Sequence, residues 1–202
     1  MNGLYICYLI QRDSIEDFVS FVIKSSISLN SNIHPSIFET NAFLLNQKST
    51  SLIEYASFFG SFQIFQFLRI NKVTLTPSLW RYTVHGNNPE LIHILEEDKI
   101  EREDKSYAAF LFESIKCHHI NIMNYLLDEF DIKNERINIQ GIKYSNFICI
   151  LNNDYLDNKS ILISFFANLC KYEHYFIVNL VLENTDLDIN KKDVFKYKNK
   201  FI

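Results

Sequence analysis

The sequence predicts an all-α protein built as a solenoid of helix pairs. Apolar residues recur along most of the chain at the spacing of amphipathic helices, and similar helix–turn–helix units follow one another. Gly and Pro are rare, with four and three residues among 202, while Phe (18) and Tyr (11) are abundant and suit wide spaces between helices. We expect four or five helix pairs over residues 1–190 and a lysine-rich tail over 191–202.

The composition is typical of a folded chain and excludes some classes of partner. Hydrophobic residues make up 48% and charged residues 22% of the chain. A formal net charge of −4 gives no general attraction to nucleic acid. The apolar run at 4–10 is too short to cross a membrane, and the four cysteines form no CxxC pair. We therefore expect a cytoplasmic protein that binds neither nucleic acid nor membrane.

The clearest unit lies at residues 51–68. Ser51 and Glu54 have the S-x-x-E spacing of a capping box, and Gly60 stands where a left-handed residue ends the first helix. The buried face of the second helix is expected at Ile64, Phe65, Phe67 and Leu68. An N-terminal unit with the same organisation is expected over 4–11 and 13–22.

The next unit carries the strongest helix signals in the chain. Thr76 is predicted as an N-cap with Pro77 at the first helical position, and Gly86 is predicted at the turn. Asn88 and Pro89 repeat the signal at the second helix. These residues predict a complete helix pair.

Two further units follow, at 106–127 and 160–182. In the first of these, His118 stands where the turn glycine stood before, and His119 is expected to face solvent. The stretches 25–49 and 133–158 fit the repeat poorly, and each is either an eroded repeat or an insertion.

A mixed-charge segment at 96–105 separates two of the units. It holds six acidic residues interleaved with Lys99, Arg102 and Lys105. One interpretation is a solvated loop, and the other is an acidic tip that steers a basic partner.

Several segments resemble ankyrin repeats, whose unit is a turn plus two helices at a period of about 33 residues. The resemblance lies in S-L-I-E-Y-A at 51–56, T-P-S-L-W at 76–80 and N-T-D-L-D-I-N at 184–190. With H-G-N-N-P-E at 85–90 and E-S-I-K-C-H-H at 113–119, the chain looks like the large protist families of divergent ankyrin-repeat proteins that contain a domain of unknown function. The resemblance implies an ankyrin-like solenoid with degenerate or shortened hairpins, and nothing in it implies a catalytic activity.

The resemblance also implies binding of a protein partner through the concave face and the inter-repeat loops. The candidate residues, at the ends of the first helices, are Phe58, Phe59, Val84, His85, Lys116, Cys117, Lys171 and Tyr172. Phe58 and Phe59 are either an exposed apolar patch or, if the repeats are offset by one residue, partly core. The alternative function is a structural or regulatory segment that self-associates or packs on another domain. The sequence leaves the oligomeric state open.

No motif of a known catalytic site is present in the sequence. It lacks a G-x-S-x-G elbow, a Walker lysine loop and an H-E-x-x-H helix. Cys117, His118 and His119 are a local cluster of soft metal ligands, but a structural zinc site needs four ligands at recognisable spacing. We therefore predict no enzyme activity, no small-molecule substrate, no metal and no cofactor.

Overall fold

The structure, a computed structural model, consists mostly of helices joined by short turns. It describes residues 3–36, 39–102, 107–130, 136–151 and 159–185. The described residues fall into two compact units, one ending at Leu126 and the other beginning at Leu127. The all-α prediction is confirmed. Residues 186–190 of the predicted closing segment and the predicted tail at 191–202 lie outside the described residues.

The first unit contains four helix pairs and one short additional helix. The helices are α1 (Gly3–Gln11), α2 (Ile15–Lys24), α3 (Ala42–Leu45), α4 (Leu52–Phe58), α5 (Phe62–Ile70), α6 (Leu79–Gly86), α7 (Pro89–Glu97), α8 (Ala108–Lys116) and α9 (Ile120–Phe130), whose last residues belong to the second unit. Strands β1 (Asn32–Ile33) and β2 (Thr50–Ser51) pair antiparallel, with Asn32 opposite Ser51. In the described part of the stretch 25–49, α3 is the one helix, so these residues form no helix pair.

The described residues of the second unit form two helix pairs. Its helices are α10 (Arg136–Lys143), α11 (Ile148–Leu151), α12 (Lys159–Lys171) and α13 (Tyr175–Asn184). Helix α10 packs against both α11 and α12, and α12 packs against α13. The described part of the stretch 133–158 is thus a helix pair with a short second helix.

Within the first unit, the first helices of the pairs, α1, α4, α6 and α8, pack side by side in chain order, and α2 packs against α5. The predicted apolar face of α5 is buried at Ile64, Phe65 and Leu68, each contributing about 1.5–3 kcal/mol by burial. Phe67 is half-buried and meets the ring of Phe18 edge-on at 6.2 Å. The core therefore lies between the two rows of helices.

Each first helix ends at a residue in the left-handed conformation. These residues, with φ between 49° and 66°, are Asp13, Gly60, Asn87, His118, Ser145 and Glu173. The following N–H often bonds back into the last turn, as Ser61 does to the Ala56 carbonyl and His119 to the Ser114 carbonyl, both at 2.9 Å. This is the Schellman arrangement, and it confirms the predicted turns at Gly60 and His118.

The turn after α6 differs from the prediction. Asn87, with φ of 49°, is the left-handed residue, and Gly86 is the last residue of the helix. Asn tolerates this conformation, whereas Gly86 serves a close backbone contact. A Cβ at Gly86 would lie 2.0 Å from the carbonyl oxygen of Ser57, and one at Gly60 would lie 2.6 Å from the Gly86 carbonyl oxygen. Asn88 caps α7 as predicted.

The predicted N-cap at Thr76 is also wrong, because α6 begins at Leu79. The Thr76 hydroxyl instead donates to the carboxylate of Glu54 at 3.3 Å, and the Ser78 hydroxyl donates to the same oxygen. Glu54 also completes the predicted capping box, with Ser51 N–H donating to Oε2 at 2.8 Å. One carboxylate therefore joins the start of α4 to the start of α6.

Side chains that follow the turn residues bond back to main-chain carbonyls of the preceding helix pair. The bonds run from Ser61 to Ile10 (2.5 Å), from Asn88 to Gly60 (3.3 Å), from His119 to Val84 (2.7 Å) and from His174 to Ile142 (2.7 Å). The prediction that His119 faces solvent is therefore wrong. The residue is half-buried because its ring is held against the end of α6.

The acidic segment at 96–105, which begins in the last turn of α7, is not simply a solvated loop. Asp98 accepts two hydrogen bonds from the guanidinium of Arg69, at 2.6 and 2.5 Å. Glu96 accepts a hydrogen bond from the Tyr125 hydroxyl at 2.8 Å. Residues 103–105 of this segment lie outside the described residues.

In the described ranges, no helix has the length and apolar character needed to cross a membrane.

Candidate functional site

The C-terminal ends of α1, α4, α6 and α8 carry a row of side chains that touch from helix to helix. We call it the first-helix row, and it consists of Gln11, Arg12, Tyr55, Phe58, Phe59, His85, Lys116 and Cys117. At one end, the Gln11 amide donates to the Tyr55 hydroxyl at 3.0 Å. The ring of Phe59 lies 4.8 Å from that of Tyr55 and 5.0 Å from that of Phe58. Starting from Gln11, the row therefore continues through the contacting rings of Tyr55, Phe59 and Phe58.

The row continues through His85. Its ring stacks on Phe58 at 5.1 Å, and its Nδ1 lies 3.3 Å from the Sγ of Cys117. Phe43 of α3 packs over this centre, 4.1 Å from the His85 ring and 5.7 Å from the Phe58 ring. The segment between the first two helix pairs thus covers the middle of the row.

Three of the predicted partner-binding residues take different environments. Phe58 is only 7% exposed and belongs to the core, whereas Phe59 is half-buried. Val84 is 1% exposed, so its prediction as a surface residue is wrong. The predicted surface positions at the end of α6 are offset by one residue, because the turn after α6 is at Asn87 rather than at Gly86.

Lys171 and Tyr172 lie at the end of α12 in the second unit. Lys171 is exposed, and its ammonium lies 5.3 Å from the centre of the half-buried Tyr172 ring. They occupy the same position relative to their turn residue, Glu173, as Lys116 and Cys117 do relative to His118.

His85 and Cys117 form a cluster with Glu113. The Oε1 of Glu113 lies 2.9 Å from His85 Nε2 and accepts a hydrogen bond from the Lys116 ammonium at 2.8 Å. Burial acts to raise the pKa of the Glu113 carboxyl, but its contacts with His85 and Lys116 outweigh burial and lower the pKa to about 2. The carboxylate is therefore charged across the physiological pH range.

A Cys, His and Glu in contact are the components of a thiol nucleophile with its base and orienting group. Two features oppose that chemistry. Burial and the nearby Glu113 carboxylate raise the pKa of the Cys117 thiol to about 11, and the residue caps the C-terminal end of α8, where partial negative charge disfavours a thiolate. The N–H groups of His118 and His119, which follow the thiol in the chain, are bonded to carbonyls within the same turn, so they are not available as donors to an oxyanion. The cluster therefore supplies no activated nucleophile.

Sequence reasoning missed four residues of the site and did not predict the contact between His85 and Cys117. The missed residues are Gln11, Arg12, Tyr55 and Glu113. His85 and Cys117 are 32 positions apart, so no local spacing reports their contact. Counting back from each left-handed turn residue would have found the row, because its members precede the turn by one, two or five positions.

A cavity of about 230 Å³ adjoins the Gln11 end of the row. Helix α1, the start of α4 and the strand β1 with the residues after it line this cavity, and they contribute Tyr8, Gln11, Tyr55, Ile33 and His34 among others. The Gln11 end of the row therefore borders a cavity that the segment between the first two helix pairs helps to line.

Comparison of the chain with protein-family models, with curated proteins and with solved structures gives no match. The described residues define an all-α protein of paired helices.

Proposed function

We propose that this chain is a protein-interaction module built as a degenerate ankyrin-type repeat array, and that it binds a protein partner through the first-helix row and the adjoining turns. The recurring left-handed turns and the side chains that bond back to the preceding pair support a repeat array. The strands β1 and β2 are separated by α3, so this connection departs from the short hairpin of an ankyrin repeat. The proposal assigns no catalytic step to the chain.

The half-buried ring of Phe59 is the main support for the binding proposal. This ring is held by Tyr55 and Phe58, so it loses little conformational freedom when a partner covers it. Exposed polar side chains, Gln11 and Lys116, lie at the two ends of the row. An aromatic anchor with a polar rim is the usual organisation of a protein interface.

The cysteines support the proposed cytoplasmic location. All four lie in the described ranges, and none of them forms a disulfide. Reduced thiols are typical of proteins in the reducing interior of the cell.

The experiment compares the wild-type chain with Phe59→Ser and with the control Ile70→Ser, which replaces a 75% exposed residue on the second helix α5. A partner captured by the wild-type chain is purified, and its Kd is measured for each variant after circular dichroism has verified folding. We expect Phe59→Ser to weaken binding by about thirtyfold and Ile70→Ser to leave it unchanged. Equal Kd values for all three chains contradict the proposal.

A second candidate function rests on α13. This helix exposes four large apolar side chains, Tyr175, Phe176, Leu180 and Leu182. Clustered exposed apolar residues mark interaction sites, which favours self-association or packing on another domain. Sedimentation of the wild-type chain and of Phe176→Ser tests this candidate, since a dimer that the substitution abolishes supports it and two monomers refute self-association.

A further inference from the structure

The cluster of His85, Glu113 and Cys117 has the composition of a metal site. Each residue offers one ligand atom, and these three atoms lie within 4.8 Å of one another. Around tetrahedral zinc, ligand atoms lie roughly 3.3–3.7 Å apart because the bonds are about 2.0–2.3 Å long. Cys117 Sγ lies 3.3 Å from His85 Nδ1, whereas Glu113 Oε1 lies 2.9 Å from Nε2, so side chains of the cluster must rotate for one ring nitrogen to share an ion with both. We propose that these three residues bind a divalent transition metal ion, with Zn²⁺ as the ion that best fits a nitrogen, oxygen and sulfur ligand set.

The state of the His85 ring is an independent indication of a ligand. Its side chain is 9% exposed, and the buried Nε2 makes no directed hydrogen bond with any described group, although it lies 2.9 Å from Glu113 Oε1. Buried polar atoms are normally hydrogen-bonded. A bound cation would give the imidazole and the carboxylate a shared partner in place of this undirected contact.

The surrounding charge also favours a cation. His85 lies in the last turn of α6, and Cys117 caps α8, so the negative ends of two helices meet at the cluster. A carboxylate and a thiolate together match the charge of a divalent ion, and the proton of the Cys117 thiol passes to solvent when the metal binds. Three protein ligands leave the fourth tetrahedral position to water.

Lys116 competes with the metal in this arrangement. Its ammonium donates to Glu113 Oε1 at 2.8 Å, and both the bond and the positive charge oppose binding of a cation. Removal of Lys116 should therefore strengthen metal binding, which a merely structural ion pair does not predict.

The experiment titrates the full, reduced and metal-free chain with Co²⁺ while recording visible absorption, and Zn²⁺ is then added as the competitor. We expect saturation at one equivalent, a thiolate-to-cobalt charge-transfer band, and displacement by Zn²⁺. Cys117→Ser should abolish the band, and Glu113→Gln should weaken the affinity about tenfold or more. Lys116→Ala should tighten binding, while the control Cys170→Ser, at an exposed thiol of the second unit, should bind as wild type does.

A natively folded chain that shows no thiolate band overturns the proposal, and so does a band that survives in Cys117→Ser. If Cys117→Ser does not fold, Glu113→Gln decides, because an unchanged affinity in that variant removes the carboxylate from the site and overturns the three-ligand assignment. The titration needs no protein partner, so its outcome is separate from that of the binding proposal.

Discussion

His119 donates a hydrogen bond from Nδ1 to the main-chain carbonyl oxygen of Val84 across 2.7 Å, and this bond joins the α8–α9 turn to the end of α6. Because a carbonyl oxygen only accepts, the ring proton is on Nδ1. In the second unit, His174 makes the equivalent bond from Nε2 to Ile142, also at 2.7 Å. The same kind of contact thus holds successive helix pairs in register.

Replacing His119 should destabilise the first unit. His119→Ala leaves a carbonyl at the end of α6 without its partner, and we expect a loss of about 1 kcal/mol in the free energy of unfolding. Urea denaturation measures this loss. The control His93→Ala, at an exposed ring on α7, should cost less than about 0.5 kcal/mol. Equal losses in the two variants would show that the inter-pair bond contributes nothing specific.

Gly86→Ala should be the more damaging substitution. A methyl group would lie 2.0 Å from the Ser57 carbonyl oxygen, so α4 and α6 would have to separate. We expect a loss of about 2–3 kcal/mol and a clear fall in Tm, typical of overpacking against backbone. The adjacent Asn87→Gly, at the left-handed residue, should leave the Tm nearly unchanged or slightly raise it, because glycine suits that conformation. A tolerated Gly86→Ala would refute the close contact.

The Glu54 carboxylate should contribute more to the free energy of unfolding than a helix cap alone does. Ser51→Ala removes one side of the capping box and should cost about 1 kcal/mol. Glu54→Ala also removes the acceptor of the Thr76 and Ser78 hydroxyls, and we expect about 2 kcal/mol. A double-mutant cycle between Glu54 and Ser78 measures their coupling directly. Zero coupling would mean that the link between α4 and α6 has no energetic weight.

The pair Arg69–Asp98 should stabilise the chain in a salt-dependent way. Both side chains are about one quarter exposed and form two bonds in parallel, so Asp98→Asn should cost about 1 kcal/mol at low ionic strength. In 1 M NaCl the Debye length falls to about 3 Å, and the difference should shrink. Glu101→Gln, at an exposed residue outside the pair, serves as the control. A cost that does not change with salt would contradict an electrostatic origin.

The fold was predictable where its signals are local. The capping box at Ser51, the left-handed Gly60 and the cap at Asn88 are each written in a few adjacent residues, and each is found in the structure. Gly86 was wrongly predicted as the turn residue, because its role is a backbone contact with a helix distant in sequence. A glycine needed for close approach cannot be distinguished locally from a glycine needed for a turn.

The candidate site was less predictable, since it depends on contacts between repeats. Phe43 lies in a stretch that fits no repeat, yet it covers Phe58 and His85. Nothing in the spacing of the sequence brings His85 to Glu113 and Cys117. Such contacts depend on how the first helices stack, and a shift of one residue in one turn moved Val84 from the predicted surface into the core.

Site-specific photo-crosslinking tests the central claim most directly. A photoreactive phenylalanine analogue replaces Phe59 in one chain and Ile70 in another, and each chain is irradiated with the captured partner. Phe59 belongs to the first-helix row, and Ile70 is exposed on a second helix. We predict a crosslinked partner from position 59 and none from position 70. Crosslinks from position 70 alone, or equally from both positions, would contradict binding through the first-helix row.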